Sequence, residues 1–344
     1  MIKEIVIENH KEWDSIVHSF EDYEVFYLSG YSEAFMKKSP KNGTPVLLLY
    51  EEGEERAINV VFKRDVAFDE KISEAVEKNR YFDLITPYGY GGFWGCISDW
   101  NMLNQEYTKY CVDNHYVCEF VRFELFTDYY KHYDGEVETR THNVVRSLEI
   151  PLDEMWMDFK QKVRKNVKKA NNYNLNCIIE NTDEHLEDFL RIYYGTMDRT
   201  NAEDEYYFSR SFFEDLNGMK ENIAYFHVVY EGKIISSELV IYGGENAYSY
   251  LGGTDKDYFD VRPNDFLKYE IIKWAKDKGL RNFVLGGGYG ADDGIYQYKL
   301  CLAPHGEKNF YIGRKIFDRK TYDKLVSFRS RETLNQKYFP LYRS

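Results

Sequence analysis

Residues 224–251 read AYFHVVYEGKIISSELVIYGGENAYSYL, and this stretch decides the fold. It holds three runs rich in β-branched and aromatic residues, Ala224 to Tyr230, Lys233 to Tyr242 and Ala247 to Leu251. Glu231-Gly232 and Gly243-Gly244 punctuate them as turns, the pattern of consecutive strands. Downstream, Asn264 to Lys278 has helical spacing and is closed by Gly279 in the C′ position. Phe283 to Leu285 reads as a short buried strand, and Lys308 to Ile312 as another. Upstream, helices are expected over Pro151 to Asn172, Asp183 to Met197 and Phe208 to Met219, with strands at Val144 to Ile150 and Cys177 to Glu180. Helix, three strands, helix, strand is the order of an α+β (α/β mixed-sheet) domain.

The first part of the chain repeats this grammar in a shorter form. A strand over Ile2 to Ile7 is followed by helical stretches at Trp13 to Phe20 and Ser32 to Lys38. Pro45 to Tyr50 and Arg56 to Phe62 form a hairpin pattern around Glu51-Glu52-Gly53-Glu54. A glycine-rich loop, Thr86 to Gly95, precedes a helix from Asp99 to Asn114 and a strand from Phe120 to Leu125. The polar stretch Asp134 to Thr141 reads as the boundary, giving segments 1–142 and 143–344.

A chain of 344 residues suits two domains. With 32 Tyr and 23 Phe it can build large cores, so no extended disorder is expected. The formal net charge of −13 disfavours generic binding to nucleic acid or anionic membrane. Basic residues are nevertheless concentrated at Lys160, Lys162, Arg164, Lys165, Lys168 and Lys169, and again from Arg314 to Arg343, so an anionic ligand has somewhere to go. Five cysteines without a Cys-x-x-Cys pair argue against a disulfide scaffold or thiolate metal site. The eight histidines show no paired ligand spacing, so no metal site is expected. The N-terminus has no signal-like apolar core, and there is no run of about 18 apolar residues. A cytoplasmic protein without a membrane span is the expectation.

Four segments carry candidate chemistry. Phe159, Val163, Val167 and Ala170 give the basic helix an apolar face, and its like-charged i,i+4 pairs suggest an anionic neighbour or a solvated face. Between Tyr193 and Phe208, Thr196, Arg199, Tyr206 and Tyr207 mark either a phosphate or carboxylate clamp or a capped helix corner. The run from Asn282 to Gly294 drives a short strand into Gly286, Gly287, Gly288 and Gly290, then Asp292 and Asp293, with no helix plainly opening there. Lys299 follows among aromatic and apolar neighbours, where a lysine stays charged only beside an anion. In the first half, Tyr88 and Tyr90 sit among glycines, either as a floor on which a sugar or base stacks or as an aromatic-packed loop.

The order of these motifs resembles the Fem-like branch of the GNAT acyltransferase superfamily, which includes peptidoglycan-bridge aminoacyltransferases. The order runs from the basic helix through Thr196-Met197-x-Arg199, Tyr206-Tyr207-Phe208 and Leu251-Gly252-Gly253 to Arg262-Pro263-Asn264, the Gly286 to Gly290 loop, Tyr298-Lys299 and Phe310-Tyr311-Ile312-Gly313. The similarity is clearest over 144–313. It implies two GNAT-like domains packed together and transfer of an acyl or aminoacyl group to an amine of a cell-envelope precursor or amino sugar. By that analogy Lys299 stabilises charge on the donor phosphate or tetrahedral intermediate, and Asp292, Asp293 or a tyrosine takes the amine's proton. Arg199 would meet an acceptor phosphate. Thr196, Tyr206, Tyr207, Tyr88, Tyr90, Gly287 and Gly288 would line the substrate site. The donor is acyl-CoA or aminoacyl-tRNA, with no tightly bound cofactor. Fem aminoacyltransferases usually carry a long coiled-coil arm, for which Thr182 to Met219 is too short. With the acidic charge, this makes a small-molecule or nucleotide-linked partner the expectation ahead of tRNA. The alternatives are a tRNA-dependent peptidoglycan-bridge enzyme and a non-catalytic binding protein that retains the cleft.

Overall fold

A computed structural model describes residues 1–288, 293–330 and 334–344, the side chain of Pro40 excepted. In chain order the elements begin with β1 (Ile2–Val6), α1 (His10–His18), α2 (Ser29–Lys38), β2 (Thr44–Glu52), β3 (Glu55–Asp65), β4 (Phe82–Ile85), β5 (Trp94–Cys96), α3 (Trp100–Asp113), β6 (Tyr116–Arg122), α4 (Tyr129–His132) and β7 (Glu136–Ser147). They continue with α5 (Leu152–Asp158), α6 (Gln161–Asn171), β8 (Asn176–Glu180), α7 (Leu186–Thr200), α8 (Arg210–Leu216), β9 (Ile223–Tyr230), β10 (Lys233–Gly243) and β11 (Asn246–Thr254). The last are α9 (Pro263–Asp277), β12 (Asn282–Gly287), α10 (Gly294–Leu302), β13 (Glu307–Ile316) and α11 (Arg319–Ser327). The α+β class read from the sequence is the class of the structure.

Contacts divide the chain into two compact units. The first comprises Met1–Glu21, Phe26–Arg140 and Phe310–Ser344; the second comprises Asp22–Val25 and Thr141–Asn309. These units differ from the contiguous division into 1–142 and 143–344 expected from the sequence: residues from Phe310 onward fall with the first unit and Asp22–Val25 with the second. The reason is long-range pairing. Ile312 to Ile316 of β13 pair antiparallel with Arg122 to Cys118 of β6. Tyr342 beyond them is buried with Val117, Cys118, Tyr322 and Leu325. The expected linker is itself strand: β7 starts at Glu136, and its first five residues are exposed, so no apolar alternation announces it.

In the first unit the strands run β1-β2-β3-β4-β6-β13, with β5 on β3. All pairs are antiparallel except β4 with β6. The crossover between those two includes α3, whose Leu103, Tyr107 and Cys111 pack with Leu48, Val61 and Leu84 of the sheet. Asp83 of β4 is fully buried and ties down the C-terminus. It accepts from Arg64 Nε at 2.7 Å, Arg343 Nε at 2.6 Å and the Tyr342 hydroxyl at 2.8 Å. Burial alone would push this carboxyl up, but Arg343 and Arg64 hold it below the usual carboxylate range.

In the second unit the order is β7-β12-β11-β10-β9-β8, with β11 and β12 the parallel pair. Its crossover helix is α9, closed by Gly279 at φ +81 as the sequence indicated. The apolar face of α6 (Val163, Val167, Ala170) and that of α9 (Leu267, Ile271, Ile272, Ala275) pack on Phe226, Val228, Val240 and Phe283. On the other face, Phe189 of α7 meets the Tyr225 ring at 5.1 Å and that of Phe213 of α8 at 5.0 Å. The single helix expected over Pro151 to Asn172 is broken at Phe159 and Lys160. There the Lys160 N–H bonds the Cys301 carbonyl at 2.9 Å, and Arg164 caps α5 through the carbonyls of Met157 and Phe159. One member of the basic stretch is thus a helix cap.

The two units share one order of elements. Strand, two helices, three strands, helix, strand, helix describes β1 to α4 with β5 set aside, and β8 to α10 without omission.

Asp83→Ala takes the shared carboxylate from Arg64 and Arg343, leaving Arg343 only its longer pair with Asp69 at 3.4 Å. The expected result in chemical denaturation is a loss of about 3–5 kcal/mol, the usual effect of removing one partner of a buried ion pair. A change under about 1 kcal/mol would remove the C-terminal anchor from this account.

Candidate functional site

The second unit's site begins with a pair of strands that part. β11 and β12 pair at Asn246↔Asn282, Ala247↔Phe283 and Tyr248↔Val284, and their pairing ends there. Two irregularities accompany the separation. Opposite β10, the register of β11 slips so that Leu239 faces Leu251 while Val240 faces Ser249, leaving Tyr250 as the extra residue. Opposite β7, β12 slips between Val284 and Gly286, and Gly286 takes φ +82, which glycine adopts without steric cost.

Polar groups converge where the strands part. Lys268 of α9 is buried, and its Nζ donates to both oxygens of Glu238 on β10 at 2.7 and 2.6 Å and to the Ser249 hydroxyl on β11 at 2.7 Å. It also lies 5.8 Å from the centre of the Phe283 ring on β12. Lys299 of α10 donates to the Gly287 carbonyl at 2.6 Å. Burial, then the neighbouring Lys268 charge, lower its ammonium to about 8, against the pull of Glu238 and Asp293. Asp265 at the start of α9 accepts from the Asn166 amide at 3.0 Å. Burial raises its carboxyl to about 6 in spite of Asn166, Arg262 and Lys162. One Asp265 oxygen, the Tyr298 hydroxyl and Arg262 Nε are buried without hydrogen-bond partners. Such atoms are costly unless water or a ligand meets them.

The residues singled out in the sequence fall into three groups. Lys299, Asp293, Gly287 and Gly288 come together at the end of β12. A helix does open there, contrary to the sequence reading: Asp293 caps α10 by accepting the Ile295 N–H at 3.0 Å. A Cβ at Gly288 would fall 2.6 Å from Asp293 Oδ2 and 2.8 Å from Tyr296 Cβ, so a side chain there would displace its own neighbours. Asp292 lies outside the described residues. Thr196, Arg199, Tyr206 and Tyr207 gather at the C-terminal end of α7. Thr196 presses on Gly253 of the parted half of β11, where a Cβ would strike its hydroxyl. Arg199 is exposed, with its guanidinium 5.1 Å from the Phe259 ring centre. The Tyr207 hydroxyl donates to Asp198 at 2.9 Å, and the Tyr206 carbonyl accepts from the Tyr193 hydroxyl, which fastens this loop to α7. Tyr88 and Tyr90 belong to the first unit. Tyr90 is 9% exposed and packs edge-on to Phe26 and Phe310, whereas Tyr88 is 43% exposed and stacks on Phe35.

Lys268, Glu238, Ser249 and Asp265 are not among the candidates read from the sequence, and Tyr298 enters there only beside Lys299 in the Tyr298-Lys299 motif. A signal was present: Glu238 interrupts the apolar run of β10, and Lys268 stands among Phe266, Leu267 and Ile271. A charge at a position patterned for burial points to a partner across the fold.

Residues 157–300 match the acetyltransferase (GNAT) domain family. A lipid II:glycine glycyltransferase of Staphylococcus haemolyticus (strain JCSC1435) is 32% identical over 56 residues, 16% of this chain and 13% of that protein. One from Staphylococcus epidermidis (strain ATCC 12228 / FDA PCI 1200) is 32% identical over 57 residues, 17% of this chain and 14% of that protein. The chain thus spans about one seventh of the length of the curated relatives it matches. Among solved structures, FemX has a TM-score of 0.71 at 14% identity, covering 94% of this chain and 99% of its own. L-PGS from Bacillus licheniformis has a TM-score of 0.59 at 11% identity, covering 91% and 94%. The residues that match this domain family lie in the second unit. Likeness to the glycyltransferases holds in sequence over a short stretch, and likeness to FemX holds in fold over nearly the whole chain. No described helix is long and apolar enough to cross a membrane.

Glu238→Leu leaves Lys268 buried without a counter-charge, and Lys268→Met strands the carboxylate. Each single change is expected to destabilise by about 3–5 kcal/mol, and the double change by less than either. Additive losses in a denaturation cycle would contradict the pairing.

Proposed function

We propose that the chain is an N-acyltransferase, of the acyl or aminoacyl kind, acting on an amine of a cell-envelope precursor or amino sugar. The observation that carries this reading is the separation of β11 from β12 beside Lys299 and the Lys268–Glu238 pair. Strand edges that part inside a sheet can receive an extended, amide-bearing arm through main-chain hydrogen bonds. An acyl-CoA donor has such an arm. The GNAT match over 157–300 supports the same donor, and the relatives named for transfer of glycine to lipid II support an envelope amine as acceptor.

In the proposed reaction the acceptor amine attacks the donor's acyl carbon. A C–N bond forms, the bond to the donor's leaving atom breaks, and the amine gives up a proton. The Lys299 ammonium faces the developing oxyanion or the donor phosphate, the kind of electrostatic help that often dominates catalysis. Asp293, or Asp292 beside it, takes the proton directly or through water. Arg199, with Thr196, Tyr206 and Tyr207 behind it, meets an acceptor phosphate at the exposed end of α7.

Calorimetric titration with acetyl-CoA, with a charged tRNA and with UDP-amino sugars tests the reading. Binding of acetyl-CoA is expected. Binding of charged tRNA alone, falling steeply with salt, would move the donor to the tRNA class. If only the amino sugar binds, the chain is a binding protein and the transferase reading fails.

Lys299→Ala is expected to lower kcat about 10²- to 10³-fold with the fold retained, the usual cost of losing such a donor. Lys299 is protonated below about 8 and neutral above it. The wild-type kcat should therefore lose a component as pH rises through that value. Lys299→Arg, charged across the range, should remove that limb of the profile. Equal turnover in the alanine variant would exclude Lys299 from the chemistry.

A further inference from the structure

The α7-bearing face of the second unit's sheet holds a side-chain cluster that acyl transfer does not use. Glu180 is the last residue of β8, His185 stands at the boundary before α7, and His227 lies within β9. Register explains how residues so far apart in sequence meet. Ile178 pairs with His227 and Glu180 with Tyr225, so Glu180 and His227 are diagonal neighbours on one face. The short turn after β8 then brings His185 back over Glu180. The His185 N–H donates to Glu180 Oε1 at 3.0 Å, and His185 Nδ1 lies 2.8 Å from Oε2. His227 Nε2 lies 3.4 Å from Oε1. One donor atom from each of the three residues falls within 4.8 Å of the others.

His227 gives the cluster its chemistry. Its side chain has no exposure, and its Nε2 is buried without a hydrogen-bond partner. Its Nδ1 lies 2.6 Å from the Ser237 hydroxyl on the neighbouring strand. With the Nδ1 proton donated to Ser237, the Nε2 lone pair points toward Glu180 and His185. In that tautomer the lone pair faces the Glu180 carboxylate across 3.4 Å, a repulsive contact that a cation between them relieves. Tetrahedral bonds of about 2.1 Å would set the donor atoms about 3.4 Å apart, and the three donors already lie within 4.8 Å of one another.

We infer that Glu180, His185 and His227 bind a divalent transition-metal ion of the zinc class, with Ser237 orienting His227 from behind. Two imidazoles and one carboxylate suit zinc or cobalt better than magnesium or calcium, which prefer all-oxygen sites. Water fills the fourth position on the His185 side, where the ring is 27% exposed. The ion clamps the start of α7 to β8 and β9. The far end of that helix carries Thr196, which packs on Gly253.

The test uses the full chain, free of any affinity tag and stripped with a chelator. Titration with zinc is expected to saturate at one equivalent and to raise Tm. Cobalt should give visible bands of tetrahedral intensity. X-ray absorption on the zinc-loaded wild type should read imidazole nitrogen and carboxylate oxygen, independently of any variant. Glu180→Gln and His185→Ala, checked for native circular dichroism, should lose stoichiometric binding. Ser237→Ala should weaken affinity about 10- to 100-fold, as for other residues that orient metal ligands. Absence of saturable binding by the folded wild type would overturn the assignment. So would unchanged affinity in the two ligand variants, or an absorption spectrum without imidazole donors. The cluster would then be a hydrogen-bonded knot and nothing more.

Discussion

Burying a lysine and a glutamate side by side is expensive unless their geometry is nearly complete. In the second unit Lys268 meets that condition, with both Glu238 oxygens and the Ser249 hydroxyl inside 2.7 Å. Desolvation of the two charges is offset only by this full set of contacts. The pair fixes α9 against β10 and β11 while β12 turns away. It therefore supports the sheet at the place where main-chain pairing between β11 and β12 stops. It also sets the electrostatics of the neighbouring residue: after burial, the Lys268 charge is the next cause holding the Lys299 ammonium down. Scaffold and candidate chemistry thus share one buried ion pair.

The first unit solves a similar problem in another way. Asp83 is buried on β4, the strand that forms the parallel pair there, and its partners come from Arg64 and from Arg343 near the chain's end. In both units a charged group is placed on or beside the parallel pair; Lys268 and Glu238 are 30 residues apart, whereas Asp83 takes one partner, Arg64, from 19 residues away and the other, Arg343, from 260. The Lys268–Glu238 pair is contained within a single supersecondary stretch. The Asp83 cluster needs the C-terminus to return, which draws Phe310–Ser344 into the first unit.

Polar groups on the two faces of the second unit's sheet have different characters. On the α9 side they are charged, paired and close to the parted strands. On the α7 side Glu180, His185 and His227 form a compact donor set joined to Ser237. Alternation along β9 separates them, since Phe226 and Val228 face α9 while Tyr225 and His227 face α7. Adjacent residues of one strand therefore serve a hydrophobic core and a polar cluster.

Several elements were legible in the sequence because their signals are local. The three strands around Glu231-Gly232 and Gly243-Gly244, the helix ended by Gly279 and the apolar face Val163, Val167, Ala170 all follow from period and turn chemistry. Lys299 and Asp293 stood out as a charge in apolar company and an acid after glycines. What local pattern could not reveal was decided by contacts across the fold. The exposed start of β7 and the break between α5 and α6 depend on neighbours distant in sequence, whereas the cap of α10 by Asp293 is a local contact with Ile295 that the glycines before it obscured. The pairing of Lys268 with Glu238 and the approach of His185 to His227 also depend on distant neighbours. The sequence by itself determined where most strands and helices lie, because backbone propensity and side-chain period act within a few residues. Only the tertiary structure decided which buried polar groups meet, because that depends on strand register and on where the parallel pair separates.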